Sequence, residues 1–166
     1  MKFFAFLITT SLFSIFAHQP AAAEQDSTAI TENASQKAQQ ANEAFKDLIS
    51  TAPADAEVFF VEPSDGAVLK SPVTIKFGIA NMVVAKAGDN VTNSGHHHLL
   101  IDVDELPAMD APLPASDNII HFGGAQTETT IELEPGEHSL QLLLGNYLHI
   151  PHDKPVLSKK ISITVE

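Results

Sequence analysis

The stretch Thr127-Glu128-Thr129-Thr130-Ile131-Glu132-Leu133-Glu134-Pro135-Gly136-Glu137-His138-Ser139-Leu140-Gln141-Leu142-Leu143-Leu144 decides the fold. Apolar and polar residues alternate on both sides of Pro135-Gly136, the period-two pattern of strands that bury one face. Pro and Gly suit the central positions of a type II turn. Setting Glu134 against Glu137 places Leu133 opposite His138, Ile131 opposite Leu140 and Thr129 opposite Leu142. The two runs then read as a hairpin. Ile131, Leu133, Leu140, Leu142 and Leu144 form its apolar face, and Glu128, Thr130, Glu132, Ser139 and Gln141 its polar one.

Outward from this hairpin, short strand-like runs recur at 58–62, 73–79, 96–103, 119–122 and 156–165, with turn residues such as Pro63-Ser64-Asp65-Gly66 between them. About seven strands with no long helix predict an all-β, immunoglobulin-like antiparallel β-sandwich over residues 56–166. Residues 24–55 are rich in Ala, Gln, Ser and acids. Ala34, Ala38, Ala41, Phe45 and Leu48 recur there at helical spacing, with Asn33 or Ser35 as a cap and Pro53 as a stop. This segment reads as a helical or disordered linker with a weak, Ala-dominated stripe.

Residues 1–23 read as a signal peptide. Lys2 is followed by an apolar run from Phe3 to Ala17, and Ala21-Ala22-Ala23 is a small-residue cleavage site. The expected location is periplasmic or secreted in a bacterium, with no membrane attachment after cleavage. A cut after Ala17 would instead expose His18, whose amine and ring could chelate copper as in a copper oxidase. The Ala21-x-Ala23 site is the better one.

The 166-residue chain carries nine Lys, no Arg, 21 acidic residues and no Cys, for a net charge of −12. That balance argues against nucleic-acid partners. The absence of Cys excludes disulfides, thiolate zinc sites and iron–sulfur clusters. No nucleophile elbow or phosphate loop is present; Gly123-Gly124 alone is weak evidence. An enzyme is not the favoured reading.

Eight histidines against this background are the anomaly. On a strand, His96 and His98 share one face, while His97 continues into Leu99 and Ile101 on the other. His97 is therefore expected to pack inward, and His138 to be a solvated turn residue. If connections alternate between the poles of a sandwich, the 81–95, 122–126 and 145–155 segments lie at the pole opposite the 134–137 turn. His96, His98, His121, His149 and His152 then converge there. At ~3.3 Å per residue, His138 sits some eight residues along the strand from them, about 25 Å away. Clustered imidazoles without thiolate suit a copper or zinc ion. Met82, expected at the same pole, could add a thioether, and Glu128 could orient a ring from outside. The alternative is that the histidines form a structural hydrogen-bond network.

The residues Asn93-Ser94-Gly95-His96-His97-His98-Leu99-Leu100-Ile101-Asp102 resemble the GHHHLLID signature of a bacterial secreted family, domain of unknown function 4399. His121-Phe122-Gly123-Gly124-Ala125-Gln126-Thr127-Glu128 is similar to its HFGGGQTE segment, with Ala125 where Gly is usual. Pro135 to Leu142 resembles its PGKHTLQL segment, and His149-Ile150-Pro151-His152-Asp153 its HIPHD segment. The resemblance runs in order over residues 57–166 and implies a small secreted immunoglobulin-like sandwich, without supplying a function.

Two expectations from different classes follow. The first is a periplasmic module that captures, buffers or delivers a transition metal, copper before zinc, through His96, His98, His121, His149 and peripheral His152. The second is a non-metal adhesion or interaction module whose partner is an envelope protein or glycan. The lack of Trp and the single Tyr147 give little support to sugar binding.

Overall fold

The computed structural model describes residues 24–166. The signal-peptide reading of residues 1–23, with His18, lies outside them. Helix α1 spans Glu24–Lys46 and so begins before the caps proposed at Asn33 or Ser35. Among the described residues no helix is long and apolar enough to cross a membrane. Two compact units divide at Ala41/Asn42. The second contains the end of α1 and all nine strands: β1 (Glu57–Glu62), β2 (Ala67–Leu69), β3 (Val73–Ala80), β4 (Val83–Val84), β5 (Ser94–Ile101), β6 (Ile119–His121), β7 (Glu128–Ile131), β8 (Gly136–Gly145) and β9 (Ile161–Val165).

The strands form two sheets, one in the order β1-β3-β7 and the other β2-β9-β8-β5-β4, with β6 also paired to β5. Val73, Ile75 and Phe77 of the small sheet meet Leu99, Ile101, Leu140, Leu142, Leu144, Ile161, Ile163 and Val165 of the large one in a single buried cluster. The all-β sandwich is therefore present. It is mixed rather than wholly antiparallel, because β2 runs parallel to β9 and β4 parallel to β5. These two short strands bring the count above seven. At three and two residues they are too short to show alternation.

The 127–144 stretch is not a hairpin. Strand β7 pairs with β3, with Val73 opposite Ile131 and Ile75 opposite Thr129. Strand β8 pairs with β5 and β9. The chain crosses from one sheet to the other through residues 132–135. Alternation could not reveal this, because Ile131 and Leu133 reach the same core from the opposite wall. Burial fixes which face is apolar but not which strand is the neighbour.

Strand β8 is buried from Leu140 to Gly145 because both faces of the large sheet are covered. Leu140, Leu142 and Leu144 face the sandwich interior. Leu143 instead packs on the outer face with Leu100, Leu113 and Ile119. Val103, Met109 and Leu113 of the 102–118 segment supply that outer cover with Leu157, while residues 156–158 pair along the edge of β8. Ser158 Oγ accepts from Leu142 N at 2.9 Å, and Ser158 O accepts from Gln141 Nε2 at 2.9 Å. Each fully buried Leu contributes about 1.5–3 kcal/mol relative to exposure.

Residues 48–52, within the segment read as linker, are tied into the sandwich. Asn146 Nδ2 donates to Leu48 O at 2.8 Å, Asp153 N donates to Ser50 O at 3.0 Å, and Ala52 N donates to Asp153 Oδ1 at 3.2 Å. Ala52 is buried in the main core.

His138 is not a solvated turn residue. Its Nδ1 lies 2.7 Å from Asp102 Oδ2 and its Nε2 lies 2.8 Å from Glu134 O. Asp102 Oδ1 also accepts from Ser139 N at 2.7 Å, so the end of β5 is clipped to the start of β8. Both ring nitrogens face acceptors, and only an imidazolium can donate to both. The Glu134 carbonyl, then the Asp102 carboxylate, raise the His138 pKa above 6.5. Stabilisation from this clip is full below the unfolded value and is lost as pH rises through the raised folded value. The melting temperature of wild type should thus exceed that of His138→Gln most at about pH 6 and least at about pH 9; a gap that does not change with pH would contradict the charged clip.

Candidate metal centre

Strand β5 carries Gly95-His96-His97-His98 with every side chain buried. His97 faces inward as expected. Its ring lies 5.1 Å from Phe77, which packs 4.8 Å from Phe122. Burial pushes its pKa down to about 4, partly opposed by the Gln126 and Gly78 backbones.

His96 and His98 emerge on the outer face of the large sheet, each 1 % exposed. Strand β6 runs antiparallel to β5 and sets His121 opposite His98. On the other side of β5, Gly145 pairs with His96, and the chain turns immediately to bring His149 back over the same face. The four imidazoles form one cluster. His96 lies 4.9 Å from His98, 4.9 Å from His121 and 5.0 Å from His149, centroid to centroid. His98 lies 5.1 Å from His121 and 6.2 Å from His149, and the His121–His149 separation is 4.6 Å. Within it, one ring nitrogen each of His96, His121 and His149 falls within 4.8 Å of the others, a group able to hold a metal ion.

Four of the five histidines expected to converge do so, but by another route. His121 arrives on β6 beside β5, not on an extension of a β7–β8 hairpin. His152 stands apart from the four rings. It is 1 % exposed and its Nε2 meets Ser94 O at 3.1 Å, while it lies near enough to depress the His96 pKa. His138 sits at the far end of β8, about 23 Å along the strand at ~3.3 Å per residue. Met82 packs on the interior core, across the sheet from His96 and His98. Glu128 is exposed on β7 opposite Lys76.

The protein satisfies few of the cluster's nitrogens. Both nitrogens of His96, Nδ1 of His98 and Nε2 of His121 are buried without a hydrogen-bond partner. Burial first, then neighbouring His121 and His149, push His96 down to about 3. Burial, then His96, His121 and His149, do the same to His98. His121 is lowered by burial and then by His149. At neutral pH these rings are uncharged, and a neutral imidazole keeps the lone pair a metal needs.

Two residues that sequence did not single out shape the site. Asn146 is 1 % exposed. Its Oδ1 accepts from Leu148 N at 2.9 Å and Ile150 N at 3.1 Å, and its backbone O accepts from His149 N at 2.8 Å. This turn holds His149 at φ 67°, a left-handed conformation costing about 1–2 kcal/mol outside glycine. Its only sequence signal is a Gly-Asn pair after an apolar run, which reads as any turn. Gly145 is the second. A Cβ there would come 2.8 Å from His98 Cε1, so only glycine lets the backbone pass the ring. Gly123 is similar: a Cβ would meet His121 Cε1 at 2.4 Å. Gly123 is thus explained by ring space rather than by phosphate.

A family model described as Domain of unknown function (DUF4399) matches residues 75–166. No curated protein and no solved structure matches the chain.

Removing the Asn146 side chain leaves buried Ile150 N and part-buried Leu148 N and Leu48 O without their partner, and an unpaired buried group costs about 1–3 kcal/mol. Asn146→Ala should therefore lower urea stability by at least about 2 kcal/mol, and a neutral result would show that water replaces those bonds. The depressed histidines have the opposite pH sign from His138. Unfolding frees them to protonate, so their stabilisation is full above 6.5 and is lost as pH falls toward about 3 for His96 and His98. In chelator, the melting temperature should drop steadily below pH 6.5, and a flat profile down to about pH 4 would contradict the buried neutral cluster.

Proposed function

The chain belongs to the DUF4399 family, and we propose that it acts as an exported module that binds one transition-metal ion, copper or zinc, for capture, buffering or delivery. His96, His98, His121 and His149 supply the ligands, with His152 behind His96. The signal-like residues 1–23 support a periplasmic or secreted location.

The observation that carries this reading is the set of buried, unpartnered ring nitrogens within one four-imidazole cluster. A structural network would turn an N–H of one ring toward the lone pair of the next. His97 in the core also has both nitrogens unpaired, but His96 has both unpaired while three other imidazoles stand within 5.0 Å of it. Buried polar atoms without partners cost stability and call for a missing one, and an ion would accept lone pairs from several rings at once. Cys is absent, Met82 packs on the interior core, and among the described residues no Asp or Glu joins the group of His96, His121 and His149. The donor set is therefore nitrogen alone, which suits copper and zinc.

Titration calorimetry of the full chain should show one equivalent of copper or zinc bound, and His98→Ala combined with His149→Ala should abolish it. An ion at one hundred times its dissociation constant should stabilise the fold by about 2.7 kcal/mol, so chelator should lower the melting temperature. Affinity no better than millimolar, or a melting temperature indifferent to chelator, would overturn the metal reading in favour of an envelope interaction module.

A further inference from the structure

The arrangement of the four rings contains information about which ion fits. Metal–nitrogen bonds of about 2.0–2.1 Å put each ring centroid about 3.2 Å from the ion, so tetrahedral coordination spaces the centroids about 5.2 Å apart. Square-planar coordination instead gives about 4.5 Å between neighbours and about 6.4 Å across the ion.

Across the cluster, five centroid separations fall between 4.6 and 5.1 Å, and only His98–His149 is longer, at 6.2 Å. A square needs two long diagonals that share no ring. If His98 and His149 were one diagonal, His96 and His121 would be the other, yet they are 4.9 Å apart. The ring centroids therefore mark the corners of a distorted tetrahedron, with nitrogens of His96, His121 and His149 within 4.8 Å of one another and the His98 ring at the fourth corner.

The scaffold resists flattening. His96 and His98 are two residues apart on a central, fully buried strand. His121 is locked to His98 by the β5–β6 register. His149 is held by the Asn146 turn and by Leu113 N donating to its carbonyl at 2.9 Å. Gly145 and Gly123 already sit against the His98 and His121 rings.

We propose that the site selects a closed-shell ion with no preference for a square, Cu(I) or Zn(II), and rejects tetragonal Cu(II). This deepens the metal reading and rests on it. Charge favours Cu(I) of the two. Among the described residues no Asp or Glu joins the group of His96, His121 and His149. Neutral ligands leave the ion's full charge in the protein, and the cost of burying charge grows with its square, so a monovalent ion costs about a quarter of a divalent one.

The test is a set of competition titrations on the full chain. Cu(I) is titrated anaerobically against bicinchoninate, Zn(II) against a chromophoric chelator and Cu(II) against glycine, with Co(II) as a spectroscopic reporter. An unconstrained imidazole site binds Cu(II) more tightly than Zn(II). Here the order should invert by at least about tenfold, with Cu(I) also bound at one equivalent, and Co(II) should show the intense visible bands of a tetrahedral ion. Cu(II) bound more tightly than Zn(II) with an axial paramagnetic spectrum, or Co(II) with the pale bands of six-coordination, would overturn the selectivity while leaving metal binding intact. Failure of all four ions to bind would overturn the metal reading itself and the selectivity with it.

Discussion

Strand β5 is buried on both faces, and the rest of the molecule is organised by that constraint. Its inward residues His97, Leu99 and Ile101 complete the sandwich core with Phe77 and Phe122. Its outward residues His96, His98 and Leu100 would face water in a two-layer sandwich. They do not, because Leu113, Ile119 and Leu143 cover Leu100, and His121 and His149 close over His96 and His98. The long segment after β5 and the turn after β8 are thus structural walls of the outer face. Antiparallel sheets commonly leave one face solvated; here both are dry along the central strands.

Dryness sets the chemistry. An imidazole in water is readily protonated near neutrality, and two protonated rings repel. Burial holds His96 and His98 near 3, so both stay neutral and their lone pairs remain free. The cost appears as unpaired nitrogens and as a left-handed backbone at His149. Such costs persist where surrounding structure over-determines them, and Asn146 does so with five hydrogen bonds through its side chain and backbone oxygen. At the other end of β8 the logic reverses. His138 faces a carboxylate and a carbonyl, and charge is favoured there. One strand therefore joins a neutral histidine cluster to a charged histidine clip.

Several features were legible in the residues. Alternation in β3 and β8 marked a sandwich, and the His-x-His spacing assigned His96 and His98 to one face with His97 opposite. The motifs around His96–His98, His121 and His149 pointed to the family and to the segments that meet. Other features were hidden. Ile131 and Leu133 bury their side chains whether β7 lies beside β8 or across from it, so the sheet crossing left no trace in the pattern. Asn146, Gly145 and Gly123 look like ordinary turn residues, because their roles depend on rings far away in sequence. His138 looked solvated because Asp102, its partner, is 36 positions distant.

The sequence by itself determined the strand periodicity, the absence of any thiolate and the face on which each histidine of β5 lies, because these depend only on residue type and a two-residue repeat. Tertiary structure alone decided the neighbours. It set β6 rather than β7 beside the histidine strand, returned His149 over the outer face, and spaced four rings as a tetrahedron rather than a square. Those outcomes depend on which surfaces pack together, and packing is a property of three-dimensional contact that no local pattern encodes.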